Sequence, residues 1–131
     1  MSKSRILIVD DEPDITTFLK NALEQHNFEV VTFNDPLKAL SKHKRGSYDL
    51  ILLDIKMPEM DGFELYQKLQ AIDNKAKTCF MTAFEIYYDA LKDLFPDSFS
   101  EVCFIKKPFS VREFVKKISK EMAEPTADAK Q

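Results

Sequence analysis

Carboxylate side chains follow two of the apolar segments of the chain. Asp10 and Asp11 come directly after residues 6–9, and Asp54 comes directly after residues 50–53. If these segments are neighbouring strands, the three carboxylates meet and repel one another, which raises the pKa of at least one of them. A bound Mg²⁺ removes that penalty, because it prefers oxygen ligands and takes one or two carboxylates directly. A carboxylate beside such a cation can also act as a nucleophile toward phosphorus, and we expect Asp54 to take that role.

A hydroxyl and an ammonium group follow two further apolar segments. Thr82 comes after residues 78–81, and Lys106 and Lys107 come after residues 102–105. A lysine can pair with a phosphoryl oxygen, and a hydroxyl can donate a hydrogen bond to another. Each of these residues alone is more often a turn or surface residue. Their joint occurrence with the carboxylates, after four apolar segments, indicates a phosphoryl-binding site.

The apolar segments belong to an alternation of strand-like and helix-like patterns. Five short runs without polar alternation are typical of strands covered on both faces, and they are residues 6–9, 28–33, 50–53, 78–81 and 102–105. Apolar residues at helical spacing follow each run. We therefore predict a doubly wound α/β fold, a flavodoxin-like (βα)5 three-layer sandwich with a parallel sheet in the order 2-1-3-4-5. In such a fold the site lies at the carboxyl ends of the strands.

Proline and capping residues mark the ends of the predicted helices. Pro13 suits the first turn of the first helix, and Asp35 is the predicted N-cap of the second. The fourth helix is predicted to end before Pro96. Ser110 and Glu113 form a capping-box pattern before the fifth.

The composition is that of a soluble globular protein. The 131 residues are 44% apolar and 31% charged, with a net charge of −3. Residues 1–123 are predicted to form one domain, and residues 124–131 a flexible tail. The negative charge argues against direct nucleic-acid binding. No apolar run is long enough for a signal peptide or a membrane span, so we expect a cytoplasmic protein.

The two cysteines and two histidines are predicted to have no role in the site, and the first acidic loop is not expected to bind a nucleotide. Cys79 and Cys103 lie in apolar runs without metal-binding spacing, and we predict buried free thiols in a reducing compartment. His26 and His43 lie near predicted helix ends and are predicted to be surface residues. The loop at residues 10–14 carries four carboxylates, which argues against nucleotide or flavin binding there.

Four segments of the chain together resemble receiver domains of the response regulators of two-component signalling. They are ILIVDDE at residues 6–12, DIKMPEMDG at residues 54–62, the pair TA at residues 82–83 and KPF at residues 107–109. The resemblance covers nearly the whole chain, and the segments occur in the family's order near the family's spacing. It implies the fold predicted above.

The resemblance implies a role for each acidic residue. Asp54 matches the phosphoacceptor, which receives a phosphoryl group from a histidine kinase. Asp11, Asp54 and the backbone carbonyl of Lys56 match the protein ligands of Mg²⁺. Asp10 matches the acidic residue that usually reaches the metal through water.

The remaining matches concern the response to phosphorylation. Lys107 matches the lysine that binds the phosphoryl group, and its peptide bond to Pro108 is usually cis in the family. Thr82 matches a switch hydroxyl that moves toward the phosphoryl group. Phe104 matches the aromatic residue that follows it into the vacated space.

Two features depart from the family's pattern. The segment between Thr82 and Lys107 is a few residues longer than is common, which makes the predicted fourth helix and its exit loop the least regular part. Phe84 stands where relatives often have a small or polar residue. We expect Phe84, with Lys56, to shield the phosphoryl group from water and to slow its loss.

The resemblance implies a single-domain response regulator that is not an enzyme acting on an independent substrate. Its expected partners are a sensor histidine kinase or phosphotransfer protein and a downstream protein target. The expected output surface comprises the predicted fourth helix, fifth strand and fifth helix, with homodimerisation through that face as a further expectation. One alternative is a small Mg²⁺-dependent phosphohydrolase with Asp54 as nucleophile, and another is a receiver that acts only as a scaffold.

Overall fold

Short strands and helices alternate along the chain. The computed structural model describes residues 3–82, Asp93 and residues 103–123. The strands are β1 (Arg5–Val9), β2 (Glu29–Phe33), β3 (Leu50–Asp54), β4 (Lys77–Thr82) and β5 (Cys103–Lys106). The helices are α1 (Pro13–Glu24), α2 (Pro36–Lys42), α3 (Gly62–Ile72) and α4 (Val111–Ala123). The fourth helix of the prediction lies outside the described residues, so α4 is the predicted fifth helix.

The five strands form one parallel sheet in the order β2-β1-β3-β4-β5. This confirms the predicted fold and strand order. β3 lies at the centre and pairs with β1 on one side and β4 on the other. The carboxyl ends of β1, β3, β4 and β5 therefore meet along one edge of the sheet.

Helices cover both faces of the sheet. On one face, alternate strand residues such as Ile8 and Leu52 pack in a core with α1 and α4. On the other face, residues such as Leu53 and Phe80 pack with α2 and α3. All five residues of β3 are buried, which explains why the strand segments show apolar runs rather than alternation. No helix in the described part of the chain has the length and apolarity needed to cross a bilayer.

Side-chain caps begin three of the helices. The Asp35 carboxylate accepts a hydrogen bond from the N–H of Leu37, as the N-cap prediction required. The Ser110 hydroxyl accepts one from the N–H of Glu113 at 3.1 Å. An N-cap that was not predicted is Asp61, which accepts a hydrogen bond at the start of α3. These bonds fix where each helix leaves its loop.

The prediction of free cysteines is wrong. Cys79 and Cys103 form a disulfide with a Cα–Cα distance of 4.5 Å. The parallel register places the two residues directly opposite each other on β4 and β5. Two cysteines 24 residues apart in separate apolar runs give no sign of that register in the sequence. Their predicted burial is confirmed, since Cys79 is 0% and Cys103 6% exposed.

The surface prediction is confirmed for His26 and wrong for His43. His43 is 7% exposed, and neither ring nitrogen has a hydrogen-bond partner among the described residues. Its ring stacks on Tyr48 with 5.8 Å between centroids, and the Arg5 guanidinium lies over the other ring at 5.3 Å from its centroid. This aromatic stack lies at the edge of the sheet opposite the carboxyl ends of the strands. It buries His43, the residue that follows α2.

Burial lowers the pKa of His43, and the nearby Asp73 carboxylate only partly opposes that shift. The pKa of His43 is therefore lower in the folded than in the unfolded protein. The stability that comes from packing the neutral ring is fully present above the unfolded pKa of about 6.5 and is lost as the pH falls. We expect His43→Phe, which keeps the ring stack, to flatten the loss of stability between pH 7.5 and pH 5.5. Urea unfolding of both proteins at the two pH values measures the difference. Equal losses in wild type and variant would show that His43 does not titrate on unfolding.

Candidate functional site

The carboxyl edge of the sheet gathers residues from four separate strands. Asp10 follows β1, Asp54 ends β3, Thr82 ends β4 and Lys107 follows β5. The ammonium nitrogen Nζ of Lys107 lies 2.9 Å from Asp10 Oδ2 and 3.4 Å from Asp54 Oδ1. One lysine thus bridges two carboxylates that are 44 residues apart in sequence. The structure brings these groups together as expected.

A cavity of about 440 Å³ opens over these residues. Its lining includes the carboxylates Asp11, Glu12 and Asp54 together with Lys56, Thr82 and Lys107. Among the lining residues Asp54 is largely buried, whereas Glu12 is exposed.

Charge in this cavity is unevenly compensated. Burial raises the pKa of Asp54 to about 6, and the Asp10 carboxylate adds to the shift while Lys107 opposes it. Burial also disfavours the charged form of Lys107, but its ion pairs with Asp10 and Asp54 outweigh that effect and raise its pKa. The lysine is therefore a fixed positive charge, and Asp54 is a carboxylate whose negative charge is only partly balanced.

The oxygen donors of the first acidic loop fit a hard divalent cation. Asp10, Asp11 and Glu12 each offer a carboxylate oxygen, and these oxygens lie within 4.8 Å of one another. Such an all-oxygen set suits Mg²⁺. Both oxygens of Asp10 already accept hydrogen bonds, one from the N–H of Glu12 and one from Lys107. Asp54 Oδ1 also lies 3.4 Å from Lys107 Nζ. Asp11 and Glu12 line the cavity beside Asp54.

Two residues without a predicted role hold this edge in place. The amide nitrogen of Asn34 donates to the backbone carbonyl of Asp10 at 2.8 Å and to the hydroxyl of Thr16 at 3.0 Å. Glu12 adds a carboxylate to the cavity lining. The position of Glu12 beside Asp10 and Asp11 in the sequence could have indicated that it lines the site. Nothing in the sequence indicated the contacts of Asn34, because they depend on β2 lying beside β1.

The loop after β3 packs against the backbone that carries Asp54. The N–H of Gly62 donates to the carbonyl of Ile55 at 2.7 Å. A Cβ on Gly62 would lie 2.4 Å from the carbonyl oxygen of Asp54, closer than side-chain carbons approach backbone atoms. A side chain at this position would therefore have to displace the strand end that holds the carboxylate.

The remaining predicted residues have the following positions. Thr82 is buried at the end of β4, and its carbonyl accepts a hydrogen bond from the N–H of Lys107 at 2.7 Å. The Lys107–Pro108 peptide bond is cis, as the resemblance implied. Phe104 on β5 is half-buried against the core on the α2 and α3 side of the sheet. Phe84 lies outside the described residues.

Replacing Gly62 by alanine tests the close approach to Asp54. We expect Gly62→Ala to lower the free energy of unfolding by about 2–3 kcal/mol, because the clash is with backbone and cannot be relieved by a rotamer change. Gly46→Ala is a matched control, since no atom lies within 4 Å of the added Cβ and only the backbone angle φ of +73° opposes it. That control is expected to cost about 1 kcal/mol. Urea denaturation gives both values, and equal losses would contradict the steric argument.

The raised pKa of Asp54 predicts a stability cost in the protein without metal. Its folded pKa of about 6 exceeds the ordinary aspartate pKa of 3.8, so the neutral form is favoured in the fold and stability is lost as pH rises through 6. We expect Asp54→Asn to be more stable than wild type at pH 7.5 in EDTA, by up to about 3 kcal/mol. The gain should shrink toward pH 4, where both side chains are neutral. A variant that is no more stable than wild type at pH 7.5 would show that Asp54 is already compensated.

Comparison with known proteins identifies a family. Residues 6–119 match the model of the response regulator receiver domain. The chain is 36% identical over 118 residues to the response regulator receiver protein CpdR of Brucella abortus, covering 88% of this chain and 94% of CpdR. It spans about half the length of several other matched relatives, which are transcriptional regulatory proteins.

Solved structures of receiver domains share the fold. A CheY-like receiver domain protein from Methanospirillum hungatei superposes with a TM-score of 0.79 at 29% identity, covering 92% of this chain and 94% of that chain. The response regulator TrrA of Thermotoga maritima, solved in complex with Mg²⁺ and BeF, gives a TM-score of 0.70 at 33% identity and covers 89% of this chain and 97% of that chain. The match to the family model over most of the chain, together with these relatives, shows that the chain belongs to the response regulator receiver domain family.

Proposed function

We propose that this receiver domain accepts a phosphoryl group on Asp54 in a Mg²⁺-dependent reaction and signals through the resulting change in shape. The observation that carries the proposal is the position of Asp54 at the end of the central strand, with Lys107 3.4 Å away and the cavity open above it. The family supports the same assignment.

The reaction requires a carboxylate nucleophile and a bound phosphoryl group. An oxygen of Asp54 forms a bond to phosphorus while the N–P bond of a phosphohistidine donor breaks, and the released imidazole takes a proton from solvent. The product is an acyl phosphate. Lys107 would pair with a phosphoryl oxygen, and the hydroxyl of Thr82, a buried residue at the end of the neighbouring strand, would donate a hydrogen bond to another. Lys107 thereby exchanges its contact with Asp54 for one with the incoming group.

The carboxylates supply the metal site in this proposal. Asp11, Asp54 and the backbone carbonyl of Lys56 would hold Mg²⁺ directly, and Asp10 would act through water. When bound, Mg²⁺ neutralises charge on the phosphoryl oxygens and on the carboxylates. Lys56 belongs to the cavity lining, and both oxygens of Asp10 are engaged in hydrogen bonds, which supports this division of roles.

The conformational response to phosphorylation would take place on the β4 and β5 side of the site. A phosphoryl group adds close to two negative charges, which draw the Thr82 hydroxyl and leave space for an aromatic side chain. Phe104 lies half-buried on the neighbouring strand. We propose that its inward movement alters the face that includes β5 and α4, and that a protein target or a second copy binds there.

The donor and the setting follow from the family. We propose a sensor histidine kinase or a phosphotransfer protein as donor, a cytoplasmic location, residues 1–123 as the receiver domain and residues 124–131 as a flexible tail. Direct binding to nucleic acid or to a membrane is not part of the proposal, since the net charge is −3. The protein catalyses its own phosphorylation and dephosphorylation rather than turnover of a separate substrate.

Intact mass spectrometry tests the phosphoacceptor. Incubation with Mg²⁺ and acetyl phosphate is expected to add one phosphoryl group per chain, and EDTA or Asp54→Asn should abolish the gain. Asp49→Asn is a matched control at the opposite end of β3, where the carboxylate accepts a hydrogen bond from the N–H of Arg5. It should keep the gain. A phosphoryl group retained in Asp54→Asn would overturn the assignment, and continuous hydrolysis of phosphomonoesters by wild type would favour the phosphohydrolase alternative.

A further inference from the structure

The Cys79–Cys103 disulfide joins the two strands that form the β5 side of the site. Among the described strands, β5 pairs with β4 alone. In the described residues the ladder between them includes the Cys79–Cys103 pair and extends to the Thr82–Lys106 pair. A covalent bond at the Cys79–Cys103 pair adds a restraint to the hydrogen bonds of this ladder.

The crosslinked strands also carry the residues that are proposed to respond to phosphorylation. Phe104 is the residue directly after Cys103 and lies opposite Phe80 in the register. Thr82 ends β4, three residues after Cys79, and its carbonyl binds the N–H of Lys107. Phe104 is therefore one pair, and Thr82 three pairs, from the disulfide along this ladder.

We propose that Cys79 and Cys103 are a redox-responsive pair, and that their oxidation restrains β5 on β4 while their reduction frees it. The signalling consequence of this restraint rests on the function proposed above, whereas the redox reaction does not. A permanent disulfide is rare in a reducing cytoplasm. A disulfide that forms only under oxidising conditions is therefore consistent with the proposed cytoplasmic location.

The reaction is thiol–disulfide exchange with a low-molecular-weight disulfide. The Cys103 thiol loses its proton and its sulfur attacks the small disulfide, which forms a mixed disulfide and releases one small thiolate. The Cys79 thiol then loses its proton, its sulfur attacks Cys103, and the second small thiolate leaves. The two protons end on the two small thiols, so the pair is oxidised by two electrons and the small disulfide is reduced by two.

The surroundings of the pair affect the order of the two steps and the final balance. Cys103 keeps 6% exposure whereas Cys79 is 0% exposed, so a small disulfide meets Cys103 first. A carboxylate oxygen of Glu121 on α4 lies within 4.8 Å of both sulfurs. Its negative charge disfavours a thiolate beside it, which slows the exchange but favours the uncharged disulfide at equilibrium.

The first test measures whether the pair responds to redox conditions. The folded protein is equilibrated with mixtures of reduced and oxidised glutathione, quenched with acid, alkylated after unfolding in denaturant and weighed intact. We expect a shift from two alkyl groups to none as the oxidised fraction rises. Two alkyl groups in excess oxidised glutathione, or none in excess dithiothreitol, would overturn the proposal, because the pair would then be fixed in one state.

The second test measures the restraint by hydrogen exchange in the β5 amides. Reduction of wild type is expected to speed exchange there by about tenfold, while the amides of β1, which does not pair with β4 or β5, stay unchanged. Cys103→Ala should exchange alike with and without reductant, and Cys79→Ala serves the same purpose if the first variant folds poorly. Equal β5 exchange in oxidised and reduced wild type would overturn the restraint.

The third test separates this inference from the proposed phosphorylation. Oxidised and reduced wild type are incubated with Mg²⁺ and acetyl phosphate, and the rate of phosphoryl gain is followed by intact mass. We expect the reduced form to gain the group several-fold faster, because the disulfide restrains the rearrangement of β5 that is proposed to accompany phosphorylation. Equal rates would overturn the coupling. No gain in either form, with redox-dependent β5 exchange, would refute the phosphoacceptor proposal and leave the redox pair standing.

Discussion

Repulsion among carboxylates at one edge of the sheet is the constraint on which the rest of the structure depends. Asp10 and Asp54 share one ammonium group, that of Lys107. This single positive charge does not restore the ordinary pKa of Asp54, which stays raised to about 6. The site therefore keeps an affinity for further positive charge. A fold that holds these groups together must draw its stability from elsewhere.

The two apolar cores provide that stability. Strand residues are buried on both faces of the sheet, and helices close each face. Backbone pairing then places the strand ends without help from the charged side chains themselves. Local hydrogen bonds refine the placement, as Asn34 does for the carbonyl of Asp10. Polar groups at the site are thus positioned by packing and backbone geometry that do not depend on their own mutual attraction.

Sequence reasoning succeeded where one chemical feature repeats along the chain. Five apolar runs followed by helical patterns were enough to predict the strand order, and the residues after those runs were enough to predict which groups meet. Reasoning failed where the answer depends on contacts between distant segments. The Cys79–Cys103 bond depends on the register of β4 and β5, and the burial of His43 depends on a stack with Tyr48. The contact of Gly62 with the carbonyl of Asp54 depends on how one loop folds back, which no local pattern specifies.

The close fit of Gly62 on the backbone of Asp54 makes the two sides of the cavity mechanically unequal. On the α3 side, the loop and the strand end leave no room for even one added carbon between them. On the other side, β5 pairs with β4 alone among the described strands. If Asp54 is the phosphoacceptor, as proposed above, the displacement that follows would meet less resistance toward β5 than toward α3.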